Sequence, residues 1–279
     1  LKNVAGFATV SGLWSASVAM PAMLASRPPL VQSSRGRMPR LMPGPSNGAL
    51  AITWLGHATF VLRTPGGVEL VIDPWLTTNP ACPDEWRQIR RADLVLVTHG
   101  HNDHIADLLP VARQTGAAVV AIVEICRWLE TKGIRRVHPM NKGGTLTVDG
   151  ITITMVHADH SAGWAEENPS VYLGEPAGFV LRLENGLTVY LAGDTALFGD
   201  MRLIGEMHAP DIAFLPIGDR FTMGATAAAR ACEMLGVRQV VPMHYGTFPQ
   251  LTGTPDQLRA LVEPKGVRVL ELRPGDTAS

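Results

Sequence analysis

The sequence predicts an α/β (α+β) fold in which two β-sheets pack face to face and helices cover their outer faces. Short apolar runs that end in Gly, Pro or polar residues recur from Ala51 onward, and helical segments are interleaved with them after the first polar loop. Two stacked sheets with helices outside are an arrangement that buries such mixed runs. A hydrophobic content of 46% over 279 residues is sufficient for a full core.

Apolar runs bounded by turn residues predict the strands. These runs cover residues 52–55, 59–62, 69–72, 94–97, 119–123, 145–148, 151–156, 179–183, 187–192, 212–215 and 239–241. Turn residues join three pairs of neighbouring strands, and the second and third of these turns predict hairpins. The turns are Thr64-Pro-Gly-Gly67, Asp149-Gly150 and Glu184-Asn-Gly186.

Longer segments between the strands predict the helices. Residues 105–114 follow the first polar loop, and residues 125–132 end at Gly133, a residue that commonly terminates helices. Two more helices are expected at residues 200–207 and 225–235. The last two elements cover residues 256–262 and 267–270, and no internal repeat is present.

The first 48 residues differ in texture from the rest, so we assign the compact domain to residues 49–279. Residues 4–25 are apolar but diluted with Ser, Gly and Thr. Three interpretations of the segment are open: a secretory signal, a poorly ordered leader, or translated upstream codons. The last is suggested by the first residue, Leu, and by Met38 just before the domain. A cytoplasmic protein is the first expectation, and export is the alternative if residues 1–26 act as a signal peptide.

Charge and cysteine content narrow the classes of partner. The 24 basic residues nearly balance the 25 acidic ones, so no global field attracts nucleic acid, and an anionic small-molecule substrate must be held locally. Pro21 interrupts an apolar run that is poor in Leu and Ile, so stable membrane insertion is not expected. Cys82, Cys126 and Cys232 are widely spaced and predict neither disulfides nor a zinc ribbon. The sequence leaves the oligomeric state open, and a homo-oligomer is possible.

One loop is unusually rich in side chains that bind metal ions. Residues 98–107 hold three histidines and two aspartates directly after an apolar strand. Imidazole suits zinc, iron, manganese and nickel, and a carboxylate adds charge and can bridge two ions. The spacing His-x-His-x-Asp-His therefore predicts a site for divalent metal ions. It is formed by His99, His101, Asp103 and His104.

Three further polar residues occupy equivalent positions along the chain. His160, Asp194 and His244 each lie just past the carboxyl end of a predicted strand, as the histidine-rich loop does. Loops gathered at one edge of a rigid pair of sheets bring distant residues to one point. We therefore expect these side chains to meet the histidine-rich loop.

These motifs, in this order, resemble the metallo-β-lactamase superfamily, and more closely its branch of metal-dependent hydrolases similar to L-ascorbate-6-phosphate lactonase. The main motifs are His99-x-His101-x-Asp103-His104, Ala158-Asp-His160-Ser161, Gly193-Asp194-Thr195 and Pro242-Met-His244-Tyr245. Supporting motifs are Trp54-Leu-Gly-His57-Ala-Thr-Phe60, Ile72-Asp73-Pro74 and Leu215-Pro-Ile-Gly-Asp219-Arg-Phe-Thr-Met-Gly224. The resemblance covers most of the chain outside the first 48 residues.

The resemblance implies a four-layer αβ/βα sandwich with two divalent metal ions at the shared edge of the sheets. Zn²⁺ is the simplest expectation, with Mn²⁺, Fe²⁺ or Ni²⁺ as alternatives. Five neutral histidines and two carboxylates leave about two positive charges on such a centre, which attracts an anionic or polarised oxygen. One ion would be held by His99, His101 and His160, and the other by Asp103, His104 and His244, with Asp194 bridging.

Four residues have more open assignments. His157 is the alternative to His160 as third ligand, and otherwise lies behind the ligands or faces the substrate. His57 would lie behind the ligands or contact substrate, or else cap a turn. Asp73 would orient a ligand imidazole through its free N–H, or else be an ordinary turn residue. Arg220 could bind a substrate anion, although the resemblance implies a neutral residue there.

The residue types and the resemblance together predict a metal-dependent hydrolase. A hydroxide shared by two ions would attack a small ester, most simply a lactone, while Asp103 or Asp194 accepts or relays a proton. A phosphodiester, as in phospholipase D-like relatives, is the alternative substrate class. A non-hydrolytic metal-binding or redox protein is the alternative from another class.

Overall fold

Two seven-stranded β-sheets form the centre of the fold in the computed structural model of the protein, which describes residues 48–163 and 170–279. Helices pack on strands of both sheets. The α/β class and the αβ/βα sandwich expected from the sequence are confirmed. The predicted N-terminal extension, except Gly48, falls outside the described residues.

Each half of the chain builds one sheet, and the last strand returns to the first sheet. The first sheet has the spatial order β14-β1-β2-β3-β4-β5-β6, and the second has the order β13-β12-β11-β10-β9-β8-β7. In chain order the strands are β1 (Ala51–Trp54), β2 (Phe60–Arg63), β3 (Glu69–Ile72), β4 (Leu94–Leu96), β5 (Ala118–Ile122), β6 (Val137–Met140), β7 (Thr145–Val148), β8 (Ile151–His157), β9 (Ala177–Arg182), β10 (Thr188–Leu191), β11 (Ile212–Pro216), β12 (Gln239–Met243), β13 (Arg268–Val269) and β14 (Thr277–Ala278).

The two predicted hairpins are present as β7–β8 and β9–β10, and the strands joined by the turn at residues 64–67 form a third, β2–β3, all antiparallel. In the β7–β8 turn, Asp149 and Gly150 have φ angles of 49° and 82°. Two consecutive positive φ angles define the type I′ turn, whose twist matches that of the strands and which favours Asp-Gly. The local turn sequence therefore sets the register of this pair, with Val148 opposite Ile151.

The described residues form six α-helices, none of them long and apolar enough to cross a membrane. The helix predicted at residues 105–114 begins later, at Leu108, because the backbone leaves helical geometry at Asp107, and a separate short helix over residues 102–105 precedes it. The Asp107 carboxylate accepts hydrogen bonds from the backbone N–H groups of Leu76 and Thr77 at 2.6 and 3.0 Å. The helices are α1 (Asn102–Ile105), α2 (Leu108–Thr115), α3 (Val123–Thr131), α4 (Met201–His208), α5 (Ala225–Leu235) and α6 (Pro255–Val262).

The core has two layers because side chains alternate along the strands. In β11, Ile212 and Phe214 belong to the cluster between the sheets, whereas Ala213 and Leu215 pack in a second cluster with the helices. Phe214 meets Phe60 of the first sheet edge to face, with ring centroids 4.9 Å apart. Burial of each such ring contributes about 1.5–3 kcal/mol, so these contacts fix how the two sheets face each other.

Strand direction decides where the polar strand ends lie. In the first sheet, β1 and β3 are both antiparallel to β2, and β4 is parallel to β3. In the second sheet, β8 and β10 are both antiparallel to β9, and β11 and β12 continue parallel to β10. The carboxyl ends of β1, β3 and β4 therefore share one edge of the first sheet. The carboxyl ends of β8, β10, β11 and β12 share one edge of the second.

Two strands were not expected from the sequence. β6 contains His138 and Pro139 and is only partly buried at the end of the first sheet, so its sequence lacks an apolar pattern. β14 has two residues and pairs with β1 through Ile52 and Ala278. Both are edge strands, and they form because a neighbouring strand offers its unpaired backbone groups.

Candidate metal centre

The carboxyl ends of six strands bring the predicted ligands together. In the first sheet His57 follows β1, Asp73 follows β3, and the histidine-rich loop follows β4. In the second sheet His160, Asp194 and His244 lie beyond β8, β10 and β12. All seven side chains expected to bind metal ions lie in one cluster. They are His99, His101, Asp103, His104, His160, Asp194 and His244.

Backbone strain is concentrated at this edge of the sheets. Among the described residues, seven non-glycine residues have positive φ angles, and five of them follow strands here. His57, Asp73 and His244 have φ angles of 56°, 45° and 57°, and Asp219 and Arg220 have 67° and 52°. Such conformations cost about 1–3 kcal/mol each and persist where the surrounding structure enforces them, often at functional sites.

Asp73 fixes the orientation of two imidazoles. Its Oδ1 accepts a hydrogen bond from the Thr98 N–H at 2.8 Å, and its Oδ2 accepts from Thr98 Oγ1 at 2.6 Å and from His104 Nδ1 at 2.9 Å. Because Thr98 donates its hydroxyl proton to Asp73, its Oγ1 accepts from His99 Nδ1 at 3.0 Å. His99 and His104 thus carry a proton on Nδ1 and turn Nε2 toward the cluster, which is the orientation that metal ligands require.

The first donor group consists of His99, His101 and His160, with one ring nitrogen of each within 4.8 Å of the others. Within it, His99 Nε2 lies 3.0 Å from His101 Nδ1. The His160 ring centroid lies 5.2 Å from that of His99 and 5.1 Å from that of His101. His157 is instead exposed at the end of β8 and packs edge-on against Phe198 at 4.9 Å. The geometry therefore favours His160 over His157 as the third ligand.

The second donor group contains Asp103, His104 and His244, and also His57. His57 is fully buried, with Nε2 3.0 Å from Asp103 Oδ2 and Nδ1 3.0 Å from Thr247 Oγ1. Its carbonyl oxygen accepts a hydrogen bond from the His244 N–H at 2.9 Å. His57 thus lies as close to the cluster as the expected ligands. The signal for this is its position directly after a strand, which it shares with the other donors.

Asp194 lies between the two groups. Its Oδ2 is 2.9 Å from His244 Nε2, 3.3 Å from His104 Nε2 and 3.7 Å from His160 Nε2. The side chain is 3% exposed, and its Oδ1 is buried without a hydrogen-bond partner among the described residues. A carboxylate that faces imidazoles of both groups has the placement a bridging ligand needs.

Burial keeps most of the imidazoles neutral. It lowers the pKa values of His99, His101 and His160 below the ordinary value of a histidine. Burial, together with the neighbouring His244, also lowers the pKa of His57 to about 4. Because only a neutral imidazole has a lone pair to offer, these rings are ready to bind a metal ion near neutral pH.

Charge is balanced differently around the carboxylates. Burial opposes a charge on His104, but the Asp194 carboxylate raises the pKa of His104 well above its usual value. Burial also opposes ionisation of Asp194, but the His244 and His104 imidazoles hold its pKa well below the usual range. In Asp103 the hydrogen bond from His57 likewise outweighs burial and lowers the pKa of the carboxyl. The cluster therefore contains ionised carboxylates and favours a positive charge beside them.

The donor set fits divalent metal ions. His104 Nε2 and Asp194 Oδ1 are buried polar atoms without hydrogen-bond partners among the described residues. Leaving such atoms unpaired costs about 1–3 kcal/mol each, so most buried polar groups in proteins have a partner. A cation coordinated by the free Nε2 lone pairs and the carboxylates would satisfy these atoms and supply the favoured positive charge.

An open cavity of about 500 Å³ leads to the cluster. Its inner wall is formed by ligand side chains such as Asp103 and Asp194, and its outer wall includes Phe221 and Phe248. Arg220, expected from the sequence to bind a substrate anion, lines the same cavity and is exposed. Among the described residues, Arg220 is thus the only arginine that lines the cavity of the metal cluster.

The fold and the histidine–aspartate cluster define a class, the metal-dependent hydrolases of the β-lactamase superfamily. A family model described as a β-lactamase superfamily domain matches residues 69–245, a range that includes all seven expected ligands. The resemblance noted in the sequence is therefore confirmed.

Several relatives cover nearly the whole described chain. The chain is 52% identical over 232 residues to a UPF0173 metal-dependent hydrolase of Rubrobacter xylanophilus, covering 82% of this chain and 96% of the relative. It is 49% identical over 230 residues to one from Koribacter versatilis, covering 82% and 98%. A solved metallo hydrolase of the archaeon Ignicoccus hospitalis is 37% identical, with a TM-score of 0.73 and coverage of 82% and 97%. The chain therefore belongs to the UPF0173 family of metal-dependent hydrolases.

Proposed function

We propose that the protein hydrolyses a small ester, most simply a lactone, at a site that holds two divalent metal ions. The observation that supports this is the position of Asp194 Oδ2, which lies 2.9–3.7 Å from imidazole nitrogens of both donor groups. Five histidines and two carboxylates are the donors expected for two ions of this kind, with Zn²⁺ as the simplest choice and Mn²⁺, Fe²⁺ or Ni²⁺ as alternatives.

Each donor group would hold one ion. Bound ions of this kind lower the pKa of a coordinated water from about 15.7 toward about 7 and polarise a substrate oxygen. The first ion would be held by His99, His101 and His160, and the second by Asp103, His104 and His244, with Asp194 shared and His57 adjacent.

Asp103 is the carboxylate best placed to move a proton. Its side chain is 28% exposed and lines the cavity, whereas that of Asp194 is 3% exposed. The contact with His57 Nε2 at 3.0 Å orients Asp103 and keeps its pKa low, so its carboxylate is ionised. Its position at the cavity would let this carboxylate accept a proton from an attacking water that a bound ion has made acidic. The same group then donates that proton to the leaving alcohol. Asp194 acts mainly through its charge between the two donor groups.

A phosphodiester is the second candidate substrate, and Arg220 at the cavity is the observation that favours it, because a phosphodiester is anionic. The near-neutral chain gives no broad basic field for RNA or DNA. Membership of a family of hydrolases argues against the alternative of a non-hydrolytic metal-binding or redox protein. A cytoplasmic location completes the proposal, and the sequence leaves a homo-oligomer as an open question. The location is tested by localisation of the tagged protein in its host, and the oligomeric state by light scattering of the purified protein.

The test combines metal content with turnover. Wild-type protein and the His101→Ala and His104→Ala variants are loaded with Zn²⁺ or Mn²⁺, dialysed and analysed by mass spectrometry. Each is then assayed with γ-butyrolactone, bis(p-nitrophenyl) phosphate and a chromogenic β-lactam. We expect about two ions per wild-type chain, fewer in each variant, and a loss of lactone turnover of at least about 100-fold. Unchanged metal content in both variants contradicts the proposed centre.

A matched pair of substitutions tests the third ligand. His160→Ala removes a side chain of the first donor group, whereas His157→Ala removes an exposed histidine that contacts Phe198. We expect His160→Ala to lower the metal content and His157→Ala to leave it at the wild-type value. The reverse result would assign the third ligand to His157.

A further inference from the structure

Arg220 differs from every other residue that lines the cavity. It is the lining residue with a permanent positive charge, and it shares the cavity with carboxylates and imidazoles that belong to the cluster. Its guanidinium forms no ion pair with any of the described residues, whereas most surface arginines near it in sequence, such as Arg202 and Arg230, are paired with glutamates. The Arg220 charge is therefore available to a molecule in the cavity.

The loop that carries Arg220 is closed by backbone contacts. Gly218 and Gly224 form a β-bridge that closes the loop, and the Arg220 N–H donates a hydrogen bond to Asp219 Oδ1 at 2.8 Å. Asp219 and Arg220 both have positive φ angles, which is costly for two consecutive non-glycine residues. Such strain persists where the surrounding structure enforces it, often at functional sites, and Arg220 and Phe221 of this loop line the cavity.

The loop is also tied to the metal cluster. The N–H of Met223, a buried residue, donates a hydrogen bond at 3.0 Å to the carbonyl oxygen of Thr195, the residue after Asp194. The loop that carries Arg220 is therefore anchored to the loop that carries the central carboxylate. This anchoring ties the backbone near Arg220 to the loop of Asp194.

The Phe221 ring lies beside the Arg220 guanidinium. Arg220 Cζ lies 5.5 Å from the centroid of the Phe221 ring, within the range of a cation–π contact. Phe221 is 52% exposed, so the pair forms a partly apolar outer wall to the cavity. A guanidinium has its N–H groups in a planar fork, which suits two-point binding of a carboxylate or phosphate.

We propose that Arg220 binds a negatively charged group of the substrate away from the scissile bond, so that the natural substrate is an anionic ester. This inference rests on the proposed ester hydrolysis and names its substrate class, a lactone or related ester that carries a carboxylate or a phosphate. The metal centre acts on the ester group, and Arg220 with Phe221 holds the far end of the molecule.

The test uses two lactones that differ only in charge, the γ-carboxylate and the γ-carboxamide of γ-butyrolactone. We expect Arg220→Gln to raise the KM for the carboxylate about ten-fold or more and to change the KM for the carboxamide less than about two-fold. Arg220→Lys is expected to restore part of the loss, because it keeps the charge without the planar fork. Arg202→Gln, at an exposed arginine of α4, is the control and should change neither value.

A binding measurement separates failure of this inference from failure of the proposed hydrolysis. Calorimetry with glutarate on metal-loaded protein is expected to show about ten-fold weaker binding to Arg220→Gln than to wild type or Arg202→Gln. If neither lactone is hydrolysed but this difference is found, the anion site stands and ester hydrolysis fails. Equal glutarate binding by all three proteins, or equal KM changes for both lactones, overturns the role of Arg220.

Discussion

Asp73→Asn isolates the contribution of a buried carboxylate that touches no substrate. Asp73 is 1% exposed and accepts three hydrogen bonds, two from Thr98 and one from His104. Asparagine has the same shape but only one acceptor oxygen, and its amide nitrogen would face groups that need an acceptor. We expect the hydrogen bond to His104 Nδ1 to be lost and the Thr98 hydroxyl to turn toward His99.

The geometry gives the size of the effect. His99 and His104 would both tend to move their proton to Nε2, the nitrogen that has to bind the metal ion. Loss of a partner that orients a ligand histidine typically costs 10- to 100-fold in metal affinity, or about 1.4–2.7 kcal/mol. The fold should lose about 3 kcal/mol of unfolding free energy, since two hydrogen bonds to a charged acceptor are broken.

Metal affinity is measured by competition with a chromophoric chelator, and the imidazole tautomers by ¹⁵N NMR of the metal-free protein. Asp107→Asn is the matched control. Asp107 is 4% exposed and also accepts three hydrogen bonds, from the Leu76 N–H and from the N–H and hydroxyl of Thr77, but it contacts no ligand histidine. It should lose comparable stability and keep its metal affinity.

Two outcomes would refute this reasoning. If Asp73→Asn and Asp107→Asn lower metal affinity equally, the effect reflects general loosening of the fold rather than the orientation of His104. If Asp73→Asn keeps wild-type affinity while the ¹⁵N spectra show no change of tautomer, Asp73 is a structural turn residue.

Three further predictions concern the frame around the centre. Gly218→Ala would place a Cβ against the carbonyl oxygen of His244, so we expect lower metal affinity by chelator competition, and unaltered affinity would contradict this. The pKa of His57 is about 4 in the folded chain and 6.5 in a free histidine, so the unfolded state gains a proton first as pH falls. The wild-type protein should therefore lose up to about 3 kcal/mol more unfolding free energy than His57→Gln when the pH falls from 6.5 to 4, as measured by urea titration of the metal-free proteins. The same loss in both proteins would contradict a buried neutral His57. Phe60→Ala removes an edge-to-face contact with Phe214 and should cost about 3–5 kcal/mol of unfolding free energy without changing metal content, and a loss of metal would show that sheet packing also sets the site.

Local features were predictable because neighbouring residues determine them. The turn at Asp149 and Gly150 forms the expected hairpin because those two residues accept positive φ angles. The four donors of the histidine-rich loop lie within six positions, directly after a buried strand, so no distant contact is needed to place them near one another. The order of motifs along the chain also identified the family, which the comparisons confirm.

Spacing alone could not choose between His157 and His160. Both lie in the same segment, and either could reach an ion in an extended chain. The structure favours His160 because β8 continues through His157, whose side chain projects to solvent against Phe198. The chain then turns beyond the strand end, and His160 comes to lie beside His99. The residue at which a strand ends depends on its pairing with the neighbouring strand. The sequence of β8 alone holds no information about that pairing.

The sequence by itself determined most of the strands, the turns that join them, the enzyme class and the residue types of the centre. Only the tertiary structure decided that His57 lies against Asp103, 46 residues away, and against Thr247, 190 residues away. It also decided that Arg220 faces the cavity without an ion pair among the described residues. The physical reason is that side-chain and turn preferences act over a few residues. Contacts between strand ends depend on how the two sheets pack, which the whole core determines.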